Sequence, residues 1–248
     1  MRYFFEISYK GTNYHGWQIQ NNAISVQQVI QEKLKLLLNK SIDIVGSGRT
    51  DAGVHAKTQI FHADFAEELN FADFGYHLDA VLPKDICIKS IRPVKQEAHA
   101  RFDALSRSYQ YVIVNKKDPF QINQAYIYNK SVNLDKLNAA SKLLVGKYNF
   151  ESFSKVKTQV NNFNCEVFLA NWIKSDNQIV FQIKANRFLR GMVRAIVGTL
   201  LLVSEDKIAQ EDVTEILLSR SRKNAGRSAP PDGLFLWQID YPDHIFKI

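Results

Sequence analysis

The apolar residues of this chain switch between a period of two and a period of 3.6 in the same order twice, and no other feature limits the fold as much. In residues 2–9, Tyr3, Phe5, Ile7 and Tyr9 fall on one face and Phe4 on the other, as in a strand covered on both sides. Ser25 with Gln28 three residues later makes a capping box, and Val26, Val29, Ile30, Leu34, Leu37 and Leu38 continue at helical spacing as far as Asn39. Residues 42–45 and 58–65 read as strands. Phe71, Phe74, Leu78, Val81 and Leu82 form a second helical stripe ended by Pro83, and residues 86–91 return as a strand. The order is β-α-β-β-α-β. It recurs as a strand at 108–114, a helix at 134–145 closed by Gly146, strands at 167–173 and 179–185, a further helix, and a last strand at 234–241.

Two copies of this split β-α-β order predict an α+β fold: two ferredoxin-like halves joined into a mostly antiparallel sheet, with helices on one face and a catalytic cleft between the halves. No residue-level repeat accompanies the order, so two unrelated α+β halves fit it as well. The division falls at residues 1–103, which carry the aspartate loop described below, and 104–248, which complete the cleft. The crossing at residues 99–104 has no Pro, Gly or Ser-rich linker, so firmly packed halves are expected. Residues 155–162 read as the loop most free to move, either closing over a ligand or simply solvated.

With 248 residues, 46% of them hydrophobic, the chain can bury a core without covalent staples. Cys87 and Cys165 lie in apolar strand-like segments and read as buried thiols of a reduced compartment, with no disulfide. The first residues lack the apolar stretch of a signal peptide and no segment approaches a membrane span, so the expectation is a cytoplasmic protein without a membrane partner. Thirty-two Lys and Arg against 25 Asp and Glu leave a net charge of +7, which favours a polyanionic partner without naming it.

Residues 46–56 are the candidate chemical centre. Three glycines within eight positions, Gly46, Gly48 and Gly53, clear the space around Arg49 and Asp51. Asp51 has two readings, a turn aspartate bonding its own backbone or a carboxylate presented to a bulky substrate. Arg49 either pairs with it or holds a phosphate; the run lacks the Lys and spacing of a P-loop. A second segment, 186–201, has a core stripe of Val193, Ile196, Val197, Leu200 and Leu201, with Arg187, Arg190 and Arg194 on a neighbouring helix face. A solvated face accounts for Arg187 and Arg190. Arg194 sits in the apolar stretch and asks for a carboxylate, for which Asp51 is a candidate. Tyr109 and Tyr111 share one face of a strand that begins beside Arg107. A structural role is the default reading for both, and Tyr109 can also offer a ring to a base. The six histidines show no paired metal-ligand spacing, so no metal is predicted, and neither a dinucleotide fingerprint nor a nucleophile elbow is present.

Taken together, these strings resemble the TruA-type tRNA pseudouridine synthases across nearly the whole chain. The Gly48-Arg49-Thr50-Asp51-Ala52-Gly53-Val54-His55 core is the most specific of them. Tyr9-Lys10-Gly11-Thr12, Gly16-Trp17-Gln18, His99-Ala100-Arg101-Phe102, Arg107-Ser108-Tyr109-Gln110-Tyr111, Met192-Val193-Arg194 and Gly233-Leu234-Phe235-Leu236 agree with it. The resemblance implies an isomerase that converts uridine to pseudouridine at positions 38, 39 and 40 in the anticodon stem-loop of tRNA, by base flipping and without metal or organic cofactor. It implies Asp51 as nucleophile, adding first to either sugar or base, Arg194 as its counter-ion, and Tyr109 stacked on the flipped base. Arg49 and Arg101 would hold the substrate, with Arg107, Arg187 and Arg190 as further RNA contacts. It also implies a homodimer with tRNA touching both protomers. The chain departs from the family pattern in residues 158–167, so no RNA contact is carried over there. Two other classes fit parts of the sequence. An inert RNA-binding module needs only the basic charge and the tyrosines, but gains nothing from Asp51. A glycosidase-type hydrolase needs a second carboxylate about 5 to 9.5 Å away, and the motif contains none.

Overall fold

The computed structural model describes residues 1–156 and 160–247. Of the loop read as most free to move, Lys157, Thr158 and Gln159 lie outside the described residues. In chain order the elements are β1 (Arg2–Tyr9), α1 (Val26–Leu38), β2 (Ile44–Gly46), β3 (His55–Asp64), α2 (Phe71–Val81), β4 (Ile86–Val94), β5 (Ser106–Val114), β6 (Tyr126–Ile127), α3 (Leu134–Lys142), β7 (Gly146–Asn149), β8 (Asn164–Ser175), β9 (Gln178–Ala185), α4 (Met192–Ser204), α5 (Asp212–Leu218) and β10 (Leu234–Asp240). The fold is mixed α+β. The pairings β1–β3, β1–β4, β2–β3, β5–β9, β7–β8 and β8–β9 are antiparallel, and β5–β6 is parallel. No helix among the described residues is long and apolar enough to cross a membrane.

Two compact units divide the chain, Met1–Leu105 with Leu236–Ile248, and Ser106–Phe235. In the first, the strands run β4-β1-β3-β10, with β2 also on β3. The alternation of β1 appears as expected: Tyr3, Phe5, Ile7 and Tyr9 are buried on one face, where Phe5 stacks on Phe61 at 4.7 Å. Burying such a ring contributes about 2–3 kcal/mol. Ser25 Oγ accepts from Gln28 N–H at 3.3 Å, but the Gln28 side chain turns to Glu32 at 3.0 Å, so the cap is half a capping box. Val26, Ile30 and Leu34 are the buried stripe of α1. The last residues strap the unit: Leu105 N–H donates to Asp240 O at 2.8 Å, Lys95 N–H to Ile245 O at 2.9 Å, and Tyr241 OH to Ala100 O.

In the second unit the order is β5-β9-β8-β7, with β6 beside β5. Trp172 packs on Phe181 at 4.9 Å, and its indole N–H donates to Ser141 Oγ of α3 at 3.1 Å. Helix α4 is buried nearly all round, with Arg194, Gly198 and Leu202 as its less covered stripe at a spacing of four.

Several sequence expectations are corrected. Helix α3 stops at Lys142, and Gly146, at φ 127°, begins a strand instead of closing the helix. The second unit carries β6, β7 and α5 in addition to the expected elements, and most of the last strand expected of it, β10, belongs to the first unit, while β2 and β3 lie at 44–46 and 55–64. Cys87 is exposed although Cys165 is buried. Cys87 lies on β4, the last strand in its order, where it shares the outward face with Lys89. Burial pushes the Cys165 thiol up to about 11.

Candidate active site

Between β2 and β3 the chain carries Arg49 and Asp51 on a loop tied down at almost every residue. The Ser47 hydroxyl donates to Gln59 Oε1, and Gln59 Nε2 donates to Gly48 O at 3.1 Å. The buried Thr50 hydroxyl lies 2.8 Å from Tyr9 OH, and Thr50 O accepts from Trp17 N–H at 3.3 Å. Gly16, at φ 87°, approaches so closely that a Cβ there would stand 2.3 Å from Thr50 O. His55 Nδ1 accepts from Gly11 N–H at 3.0 Å. The motifs around Tyr9, Gly11 and Gly16 are therefore braces for the loop. Arg49 is exposed and Asp51 half-buried.

The backbone donors that an Asx turn at Asp51 would use are engaged elsewhere. Gly53 N–H donates to Tyr14 O at 3.2 Å, and Val54 N–H to the main-chain oxygen of Asp51 at 3.1 Å. The loop thus fixes the backbone at Asp51 through main-chain bonds.

Arg101, exposed, stands in the same unit on a turn fixed by two histidines. Ala100 N–H donates to His62 Nδ1 at 3.1 Å, while Arg101 and Phe102 N–H donate to His99 Nδ1 at 3.1 and 3.3 Å. His99 N–H in turn donates to Asp103 Oδ2 at 2.7 Å. Burial, then the charge of Arg2, lowers both imidazoles, His62 to about 4. Neutral His62 is the form the fold needs, so its stabilisation is complete above pH 6.5 and is lost as pH falls towards 4. Urea unfolding is expected to show about 2 kcal/mol of stability lost between pH 7.5 and pH 5 through this group. His62→Gln should flatten that dependence; equal slopes in parent and variant would refute the assignment.

The second unit contributes Tyr109, half-buried in β5 opposite Ile183 of β9, with its ring edge-on to Phe188 at 5.0 Å. Tyr111 shares its face but is fully buried, and its hydroxyl donates to Pro230 O at 2.8 Å. Burial, with Tyr126 next, raises the Tyr111 hydroxyl far above its ordinary range. Tyr109 is thus the accessible member of the pair. Arg107 Nη1 donates to Asn186 O at 3.0 Å, which fastens the start of β5 to the turn carrying Arg187, Phe188 and Arg190.

That turn corrects the expected helix face. Helix α4 starts at Met192, after Gly191 at φ 72°, so Arg187 and Arg190 precede the helix and do not share a face with Arg194. Arg194 is fixed within its own unit: its Nε donates to Ala229 O at 2.7 Å, and its main-chain oxygen accepts from Ala229 N–H at 2.9 Å. Gln59, His62 and Phe188 are given no role by the sequence, and His99 enters only as part of the His99-Ala100-Arg101-Phe102 string. The available signals were a glutamine inside an apolar strand and a phenylalanine interleaved with arginines. No group of three or more His, Cys, Asp or Glu among the described residues is arranged to hold a metal ion.

A family model described as tRNA pseudouridine synthase matches residues 7–103 and 140–242. The aspartate loop, Arg101 and the 187–194 arginines lie inside the match, while Arg107 and Tyr109 fall between its two parts. The tRNA pseudouridine synthase A of Parabacteroides distasonis is 44% identical over 248 residues, spanning 100% of this chain and 98% of its own. That of Bacteroides thetaiotaomicron is 42% identical over 249 residues, covering 99% and 93%. That of Azobacteroides pseudotrichonymphae is 44% identical over 246 residues, covering 99% of each.

Proposed function

Because this chain belongs to the tRNA pseudouridine synthase family, we propose that it isomerises uridine to pseudouridine at positions 38, 39 and 40 in the anticodon stem-loop of tRNA, with Asp51 as the nucleophile. The observation that carries this reading is the braced loop. The ties through Ser47, Gly48, Thr50, Gly53 and their partners fix the backbone on either side of Asp51, so its carboxylate is presented from a defined place.

In the proposed reaction the target uridine leaves its stack, and the Asp51 carboxylate assists cleavage of the bond between N1 of the base and C1′ of the ribose. The freed uracil rotates and its C5 bonds to C1′. The C5 proton is lost as N1 gains one, so substrate and product are isomers. Tyr109 stacks on the extruded base and assists removal of the C5 proton; Arg194 keeps the reacting carboxylate ionised. Arg49 and Arg101 hold the flipped nucleotide and its backbone, and Arg107, Arg187 and Arg190 contact flanking phosphates. No metal or organic cofactor enters these steps. The protein acts as a homodimer in the cytoplasm, with tRNA touching both protomers.

Mapping pseudouridine in tRNA from cells lacking this protein tests the reading. Loss confined to positions 38 to 40 is expected, with restoration by the intact gene. An unchanged anticodon arm would overturn it.

A further inference from the structure

A cavity of about 480 Å³ opens in the second unit where β7 and β8 meet the end of α5. Its size suits a small polar ligand such as one nucleotide. Lys147 and Arg220 line it, and Glu166 is the one carboxylate among its lining residues. Glu166 is paired with Lys147 at 3.6 Å, and among the described residues no carboxylate lies within ion-pair reach of Arg220. Arg220 also holds a left-handed backbone, φ 51°, just past α5, a place where Gly or Asn is favoured.

The walls suit a base as well as a phosphate. The Tyr148 ring, 39% exposed, lies over the bare α-carbon of Gly146, where an added Cβ would stand 3.1 Å from it, and presents a ring face to the pocket. Asn186 Oδ1 accepts from Glu166 N–H at 2.9 Å, with no partner for its Nδ2 donors among the described residues. Asn149 and Asn164 add two further amides to the lining. Cys165 forms an apolar wall, its burial holding the thiol protonated, while the charge of nearby Arg187 opposes that shift. Asn186, which lines the pocket and directly precedes Arg187, joins it to the arginine-bearing turn before α4.

We propose that this pocket holds a second nucleotide of the bound tRNA, outside the reacting uridine, with Arg220 and Lys147 on its phosphate and Tyr148 against its base. The proposal rests on the tRNA reading above. It assigns RNA binding to β7 and the end of α5, and makes Glu166 a brake on affinity, because its carboxylate occupies Lys147 and repels phosphate.

Affinity for a tRNA transcript, measured across a salt series, tests it. Arg220→Ala is expected to weaken binding about tenfold and to reduce the salt slope by about one. Tyr148→Ala should weaken binding by a similar factor with the slope unchanged, since stacking releases no counterion. Glu166→Gln should tighten binding about two- to fivefold, a gain that a folding defect cannot imitate. The pocket assignment fails alone if the parent forms pseudouridine but Arg220→Ala binds within twofold of it, or if Glu166→Gln does not tighten binding. If the parent neither binds tRNA nor forms pseudouridine, the function proposed above fails and the pocket falls with it.

Discussion

Asp51→Asn is expected to cut tritium release from C5-labelled uridine in tRNA by at least about 10⁴-fold while leaving tRNA affinity within a few-fold of the parent. The amide keeps the size of the carboxylate but not its nucleophilicity. A melting curve of the variant accompanies the assay; the ties through Ser47, Gln59, Thr50 and Tyr9 that shape the loop are unchanged by the substitution. Removing an anion from an RNA site works in favour of binding. The result separates three classes of protein. An inert RNA-binding module releases no label in either form, and a glycosidase-type hydrolase yields free uracil and an abasic site. Unchanged label release in Asp51→Asn would remove the nucleophile role.

Gly198→Ala is expected to destabilise the protein by about 3 kcal/mol and lower Tm by about 6–12 °C, although it adds a single methyl group. The added Cβ would stand 1.8 Å from the main-chain oxygen of Arg227, a backbone atom with no rotamer by which to withdraw. The contact is one of a row. Gly226 N–H donates to Thr199 Oγ1 at 2.8 Å, and Arg194 and Ala229 exchange bonds through Nε, N–H and their carbonyls. Displacing this row also moves the anchor of Arg194, so catalysis should fall further than the unfolded fraction accounts for at the assay temperature. A melting curve and a kcat measured well below Tm check both parts; Tm within about 1 °C of the parent would show that helix and segment separate freely.

The elements most legible in the sequence were those whose burial follows a strict period. Phe5 and Ile7 in β1, and Ile30 and Leu34 in α1, are wholly buried where the period puts them. Strand β7 escaped because Gly146-Lys147-Tyr148-Asn149 is short and largely polar, and a glycine after a helical run ordinarily reads as its cap. Cys87 was misplaced because an apolar string conceals which neighbours a strand has. The start of α4 was set too early because arginines at spacings of three and four fit a helix equally well inside it or just before it. At the aspartate loop, the residue types and glycines were readable, but the braces were not. Tyr9 and Thr50 are 41 positions apart, and Gly11 and His55 are 44 apart, so neither pairing leaves a local trace.

The first unit is discontinuous, and this fixes the order in which its parts become available. Its closing strand and the segment that bonds to Pro93, Lys95, Ala100 and Leu105 are translated only after every residue of the second unit. A ribosome carrying a half-made chain therefore holds the aspartate loop in a unit that lacks its strap. The chain encounters tRNA throughout its own synthesis, yet the unit bearing Asp51 reaches its finished form only once translation has passed beyond β10.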